Sequence, residues 1–269
     1  MGRYIFTQEE IEYVKQNYYT STNKQLANAL GFSERLVMYI VHDLKLSKKR
    51  KINKHYFGNI DTALKAYFLG YIYADGWVVY NPNSNNYELG MELQIDDEYI
   101  LAKINEELGA QNIIQHNKPR DIWANDVLRR KGWTSRLRVY SKDIVEDLMS
   151  HGVLPCKSSR DVLPNVDDEF FFDFLRGYID GDGCFYTSKG YTYMHITCAS
   201  KVVLELLQIK LRRFGIDTRI YTEREKKHRL ACVNTHEMKK LVNKLYGEKN
   251  SFCLIRKKTI VEHYLGLAV

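Results

Sequence analysis

The strongest constraint on this chain is a repeated helix ending. "FLGYIYADG", Phe68 to Gly76, closes an apolar stretch on an acid and a glycine, and "LRGYIDGDG", Leu175 to Gly183, does so again 107 residues later. In the first stretch Leu64, Tyr67, Phe68, Tyr71 and Ile72 follow the spacing of one helix face; Phe171, Phe174, Leu175, Tyr178 and Ile179 take the same places in the second. Each stretch also carries small residues four apart, Gly70 with Ala74 and Gly177 with Gly181. Glycine inside a helix costs about 1 kcal/mol relative to alanine. Its recurrence at matched positions calls for a gain, and close approach of two backbones is the natural one. The pattern therefore predicts two helices that touch over their last turns and bring Asp75 and Asp182 together.

The flanking sequence repeats with the same period. After each Asp-Gly come two strand-like runs, a helix, two more strand-like runs and a further helix. In the first unit the strands fall near 77–80, 87–95, 112–117 and 134–140, with helices near 97–109 and 141–151. In the second the strands fall near 184–188, 191–198, 217–222 and 228–233, with helices near 200–213 and 235–246. A duplicated α/β unit is the simplest account.

Two acids at adjoining helix ends are electrostatically awkward. A helix C-terminus carries roughly half a negative charge, and two carboxylates ~4 Å apart repel by about 4 kcal/mol at an effective dielectric of ~20. A divalent cation relieves the conflict: carboxylates, the helix-end carbonyls of Ala74 and Gly181, and water make a hard-oxygen set suited to Mg²⁺. Such a metal activates water and offsets charge at phosphorus, which points to phosphodiester hydrolysis. A single Asp-Gly after a helix is more often a plain turn signal; packing alone does not require the acid twice.

Charge is unevenly spread. The chain has 269 residues and a net charge of +7, from 40 Lys and Arg against 33 Asp and Glu; residues 1–58 hold ten of the former and five of the latter. A basic N-terminal segment on a near-neutral body fits an anionic partner, and fits a solvated linker equally well. Within it, helices are expected near 7–18, 22–30 and 33–45, capped by Thr7 with Glu10, by Ser21 or Thr22, and by Ser33. The turn "LGFS" between the last two gives helix-turn-helix punctuation, whose third helix would present Glu34, Arg35, Tyr39 and His42 to DNA. The basic run that follows, with Lys48, Lys49, Arg50 and Lys51, can track phosphates. A small structural three-helix bundle is the plainer alternative.

Other classes fit poorly. Cys156, Cys184, Cys198, Cys232 and Cys253 show no C-x-x-C spacing and make no metal-type pair with histidine, so zinc is not expected. The odd cysteine count and an N-terminus without an apolar leader lead us to expect a cytoplasmic protein. No run approaches the ~18 apolar residues of a membrane span.

The two motifs resemble the signature of the LAGLIDADG homing endonucleases in their single-chain form, matching it at seven of nine positions each when Phe or Leu at the first and Tyr at the fourth count as apolar equivalents. The resemblance covers about residues 61–260. It implies an α+β fold of two pseudo-symmetric αββαββα halves whose sheets form a DNA-binding saddle, to which the small all-α helix-turn-helix domain is added. The expected domains are residues 1–47 (helix-turn-helix), 48–60 (basic linker), 61–160 (first half) and 161–269 (second half).

In that family the last acid of each motif binds metal and helps cut one strand, which maps to Asp75 and Asp182. Two positions depart from the pattern: Tyr73 stands where the family often has Asp, and Arg176 where a small residue is usual.

The resemblance also implies a polar residue at the end of each half's second strand, Gln94 and Thr197, and a basic residue after each last helix, Lys157 and Lys257. The latter competes with Arg256 and Lys258. DNA readout is expected from Arg136, Arg138 and Tyr140 in one sheet and from Arg219, Tyr221 and Arg229 in the other. The expected product is a metal-dependent double-strand break in a long DNA target, made by a monomer without membrane contact. A non-catalytic nucleic-acid binder, either an intron maturase or a transcription regulator, is the alternative. An intein endonuclease is disfavoured because no terminal His-Asn is present.

Overall fold

The computed structural model describes residues 4–18, 21–46, 52–110, 112–124, 127–155, 161–224, 227–247 and 251–265. They fall into two compact units, one within residues 1–51 and one within 52–269. The first contains α1 (Gln8–Asn17), α2 (Asn23–Leu30) and α3 (Glu34–Asp43). Thr7 and Glu10 form a reciprocal capping box on α1, and Thr22 with Gln25 does the same on α2. Ser33 caps α3 through the Leu36 N–H. Gly31 ends α2 with φ +66°, a left-handed residue that lets the chain reverse within three residues. Val14, Leu26, Ala27, Val37, Ile40 and Val41 close a small core of their own.

The first half of the larger unit runs α4 (Ala63–Asp75), β1 (Trp77–Asn81), β2 (Asn86–Gln94), α5 (Glu98–Glu107), β3 (Gln115–Asn117), β4 (Arg120–Ala124), β5 (Val127–Lys131), β6 (Thr134–Tyr140), α6 (Lys142–Ser150). The second runs α7 (Phe171–Asp182), β7 (Gly183–Ser188), β8 (Tyr191–Cys198), α8 (Lys201–Arg213), β9 (Arg219–Arg224), β10 (Lys227–Cys232), α9 (Thr235–Tyr246), and then α10 (Ile255–Val261). The two antiparallel sheets have matching orders, β1-β2-β6-β3 and β7-β8-β10-β9, with β4 and β5 added to the first half as a separate hairpin.

Strand alternation puts Leu89, Met91, Leu93, Leu137 and Val139 on the inner face of the first sheet, and Met194, Ile196, Leu230 and Cys232 on that of the second. These residues and the apolar sides of the helices form one core continuous across both halves.

The centre of that core is the α4–α7 contact. A Cβ on Gly70 would stand 2.0 Å from the Phe174 carbonyl oxygen, and one on Gly177 would stand 2.0 Å from that of Tyr67. Phe174 holds in α7 the place that Tyr67 holds in α4, so the crossing is two-fold symmetric. Further along, a Cβ on Gly181 would meet the Ala74 Cβ at 2.3 Å and the Asp75 nitrogen at 3.5 Å. Both helices stop at a glycine with extended backbone, which any residue could adopt. The glycines are needed for space, since a Cβ would fall 2.8 Å from the Ile72 carbonyl oxygen at Gly76 and 2.7 Å from that of Ile179 at Gly183.

Two features differ from expectation. Residues 52–60, expected as linker, belong to the larger unit: Tyr56 and Phe57 are buried in its core, and the Asn53 N–H bonds the Leu108 carbonyl. Helix α10 had no periodic signal long enough to mark it.

Candidate active site

Asp75 and Asp182 are the last residues of α4 and α7, and both are exposed. The glycine contacts place their helix ends against each other, as the motif spacing predicts. Among the described residues no cluster of three or more His, Cys, Asp or Glu side chains could hold a metal. The donor set around the helix ends is one of carboxylate, carbonyl and amide oxygens, which suits a hard cation whose remaining positions water or phosphate would fill.

At α7 the negative helix end is answered by Lys257. Its buried ammonium donates to the carbonyl oxygens of Ile179 (2.7 Å), Asp180 (2.7 Å) and Gly183 (2.6 Å), and reaches that of Gly181 at 3.4 Å. The carbonyls of Asp180 and Gly181 are ones that a helix end leaves without an intrahelical partner, while that of Ile179 also takes the Gly183 N–H. Burial pulls the Lys257 pKa down, opposed by the Asp180 carboxylate. Lys257 thus sits beside Asp182 as the cap of its helix, and the Gly181 carbonyl, expected as a metal ligand, is shared with an ammonium. Lys157, its expected counterpart, lies outside the described residues.

In the first half a cleft of about 530 Å³ gathers Tyr71, Asp75, Gln94, Asp97, Trp133 and Arg256 among its walls. Gln94 is exposed at the end of β2. Arg256 arrives from α10 of the other half and pairs with the buried Asp97 carboxylate at 3.1–3.3 Å. The run "IRKK" could not show which cation goes where; the structure sends Arg256 to the Asp75 cleft and Lys257 to the end of α7. The pairings Trp77↔Gly90 and Cys184↔His195 align β2 with β8 so that Gln94 corresponds to Ala199 and Thr197 to Glu92. Thr197 is therefore not the second-half equivalent of Gln94, and the two sites are chemically unequal.

Both motif departures are accommodated. Tyr73 donates to the Val162 carbonyl at 2.8 Å. Its counterpart Asp180 accepts from the Leu254 N–H at 2.6 Å. Each thus fastens the segment that follows its half's last long helix, with opposite polarity. Asp180 also accepts from Tyr67 at 2.9 Å and from Tyr246 at 3.4 Å. Burial raises its pKa to about 6, against the lowering pull of these hydrogen bonds and of Lys257 and Arg176. Arg176, itself buried, donates to the carbonyls of Phe252 (3.0 Å) and Leu245 (2.8 Å), pairs with Asp173, and lies over the Tyr67 ring.

The sheets' outer faces carry the expected readout residues. Glu88, Glu92, Arg136, Arg138 and Tyr140 alternate with the core residues of β2 and β6. Arg219, Tyr221, Glu223 and Arg229 do so in β9 and β10. In α3, Arg35, Tyr39 and His42 are exposed. Lys48, Lys49, Arg50 and Lys51 lie outside the described residues.

Two αββαββα halves joined through glycine-bearing helices, each ending on an exposed acid, define the LAGLIDADG class of fold. Residues 169–246 match the family model described as a LAGLIDADG-like domain. Among solved structures, the chain resembles I-SmaMI bound to uncleaveable DNA, with 14% identity and TM-score 0.51 over 75% of this chain and 87% of that one. It resembles I-LtrWI bound to target DNA with 14% identity and TM-score 0.50 over 79% and 89%. I-DmoI in complex with DNA and Ca matches at 16% identity and TM-score 0.49 over 75% and 97%. No curated protein matches by sequence. The larger unit has the fold of the LAGLIDADG homing endonucleases, and residues 169–246 are similar in sequence to the LAGLIDADG-like domain model as well. No helix among the described residues is long and apolar enough to cross a membrane.

Proposed function

We propose that the chain is a site-specific DNA endonuclease that makes a double-strand break in a long duplex target by metal-dependent phosphodiester hydrolysis. The observation that carries this reading is the contact between the ends of the two motif helices, each of which finishes on an exposed acid, Asp75 or Asp182. A bound divalent cation, Mg²⁺ being the expected one, would supply an activated water and offset charge at phosphorus. Asp75 and Asp182 would hold it, one acid serving each strand. Gln94 orients water in the first site. Arg256, fixed by Asp97, brings a positive charge into the same cleft, and Lys257 keeps the last turn of α7 ordered beneath Asp182.

The solved homing endonucleases resembling this chain carry DNA, and the cationic outer faces of the two sheets are the surfaces through which this chain would take it. Because both halves lie in one chain, a monomer meets both strands. In the N-terminal unit, α2 and α3 act as a helix-turn-helix, with Arg35, Tyr39 and His42 and the basic run Lys48 to Lys51 extending contact along an asymmetric target.

The test is selection of cleaved duplexes from a randomised library, run with Mg²⁺ and with a chelator. Recovery of a defined site, cut on both strands in Mg²⁺ alone, is the expected result. Specific binding without cutting in any divalent cation would make the chain a non-catalytic binder.

A further inference from the structure

On the first sheet, Glu92 of β2 receives both Nε (2.8 Å) and Nη2 of Arg136 on one carboxylate oxygen. Its other oxygen takes the Lys131 ammonium at 2.6 Å and the Thr134 hydroxyl at 2.9 Å. On the second sheet, Glu223 of β9 pairs with Arg229 through Nη2 and with the Lys227 ammonium at 2.7 Å. Strand register shows that the two arginines correspond. Arg136 lies opposite Glu92 in β2 and Arg229 opposite Thr197 in β8, the positions already aligned by the motif-proximal strands. Each half therefore presents an outer-face arginine, at the same place in its sheet, held by a glutamate that also holds a lysine, through Nε and Nη2 at Arg136 and through Nη2 alone at Arg229. The two glutamates come from different strands, so duplication alone does not account for the recurrence.

The bracing has a chemical direction. A contact meant only for phosphate gains nothing from a carboxylate beside it, because the acid repels the backbone it would approach. A contact meant for a base edge gains geometry. An arginine carries much side-chain entropy, and a guanidinium already fixed along its Nε–Nη2 side, as that of Arg136 is, loses less of it on docking. The Nη1–Nη2 edge of Arg136 remains to offer two parallel N–H donors. In the major groove guanine answers with two acceptors, O6 and N7, whereas adenine sets a donor beside its acceptor. Glu92 already accepts from four donor atoms of three residues, Arg136, Lys131 and Thr134, so it is not left to read cytosine.

Resting on the endonuclease reading above, we infer that Arg136 and Arg229 are a matched pair of guanine readers. The target would carry one guanine in each half-site, on opposite strands and the same number of base pairs from the cleavage centre, within an otherwise asymmetric sequence. Glu92 and Glu223 are positioning residues for that readout.

The test is binding selection on randomised duplexes with the wild-type chain and with Arg136→Lys, Arg229→Lys and Glu92→Gln. The wild type should select paired guanines equidistant from the centre. Each lysine variant, with its charge kept, should relax one of the two positions by roughly five-fold to 150-fold and leave the other intact. Glu92→Gln should relax the position that Arg136→Lys relaxes. A selected site without the paired guanines overturns the inference while leaving the endonuclease reading in place. So does uniform weakening across all sequences by both lysine variants, which is the behaviour of phosphate contacts. Guanine preference unmoved by Glu92→Gln overturns the positioning role. A wild-type chain that selects no duplex overturns the endonuclease reading and this inference together.

Discussion

Gly70 and Gly177 sit at two-fold related points of the α4–α7 crossing, and at each a methyl group would stand 2.0 Å from a backbone carbonyl oxygen of the other helix. Backbone cannot rotate out of the way, so either helix must move. Gly177→Ala should therefore destabilise the larger unit by about 1–3 kcal/mol, the usual range for overpacking, or by more. Urea denaturation measures this. Cleavage should fall further than stability does, because parting the helices also parts Asp75 from Asp182. Wild-type stability in Gly177→Ala would show that the helices do not touch as described.

Asp180 makes stability depend on pH. Its unfolded carboxyl has the usual value of 3.8, while burial raises the folded one to about 6. Between these values the folded chain keeps a proton that the unfolded chain has lost. The stability so gained is complete below about pH 4 and is lost as pH rises through about 6, a change on the order of 3 kcal/mol. Asp180→Asn cannot titrate, and its stability should lack this decline. Denaturation of both proteins at pH 5 and pH 8 makes the comparison; equal declines would assign the pH dependence to other groups.

Lys257 closes the end of α7 through three carbonyls at 2.6–2.7 Å. Lys257→Met fills similar space and removes the ammonium that these carbonyls share, at a cost of about 1–3 kcal/mol. Hydrogen exchange should quicken at residues 179–183 and stay unchanged at the end of α4. In cleavage assays the strand served by Asp182 should be cut more slowly, so that nicked product accumulates.

Arg256→Ala should give the complementary nick. It removes the partner of the buried Asp97 and the positive charge of the Asp75 cleft. Strand-specific end labelling would tell the two nicks apart; the same nicked strand in both variants would contradict the assignment of Arg256 and Lys257 to different sites.

The motif helices, the sheet strands and the capping boxes were legible because each leaves a short-range signature. The glycine pairs, the alternation of β2 with β6, and Thr7 with Glu10 are all set by residues a few positions apart. What lay beyond reach depends on long-range placement. Nothing in "IRKK" distinguishes a helix cap from a cleft cation, since the choice is made by how the segment around Phe252 packs on Tyr67, Phe68 and Tyr99. Likewise Thr197 and Gln94 look alike as polar strand ends, and only the strand pairing separates them. Tyr73 and Arg176 read as departures because one-dimensional comparison weighs residue type. In three dimensions each finds backbone partners that lie far off in the sequence.

The central claim is that Asp75 and Asp182 each serve one strand of a duplex. It is tested most directly by following a supercoiled plasmid that bears the selected target, in Mg²⁺, with the wild type, Asp75→Asn, Asp182→Asn and the double variant. The account predicts linear product from the wild type, nicks on opposite strands from the two single variants, and neither product from the double variant, with target binding retained throughout. Linear product from the double variant at the wild-type rate would contradict it.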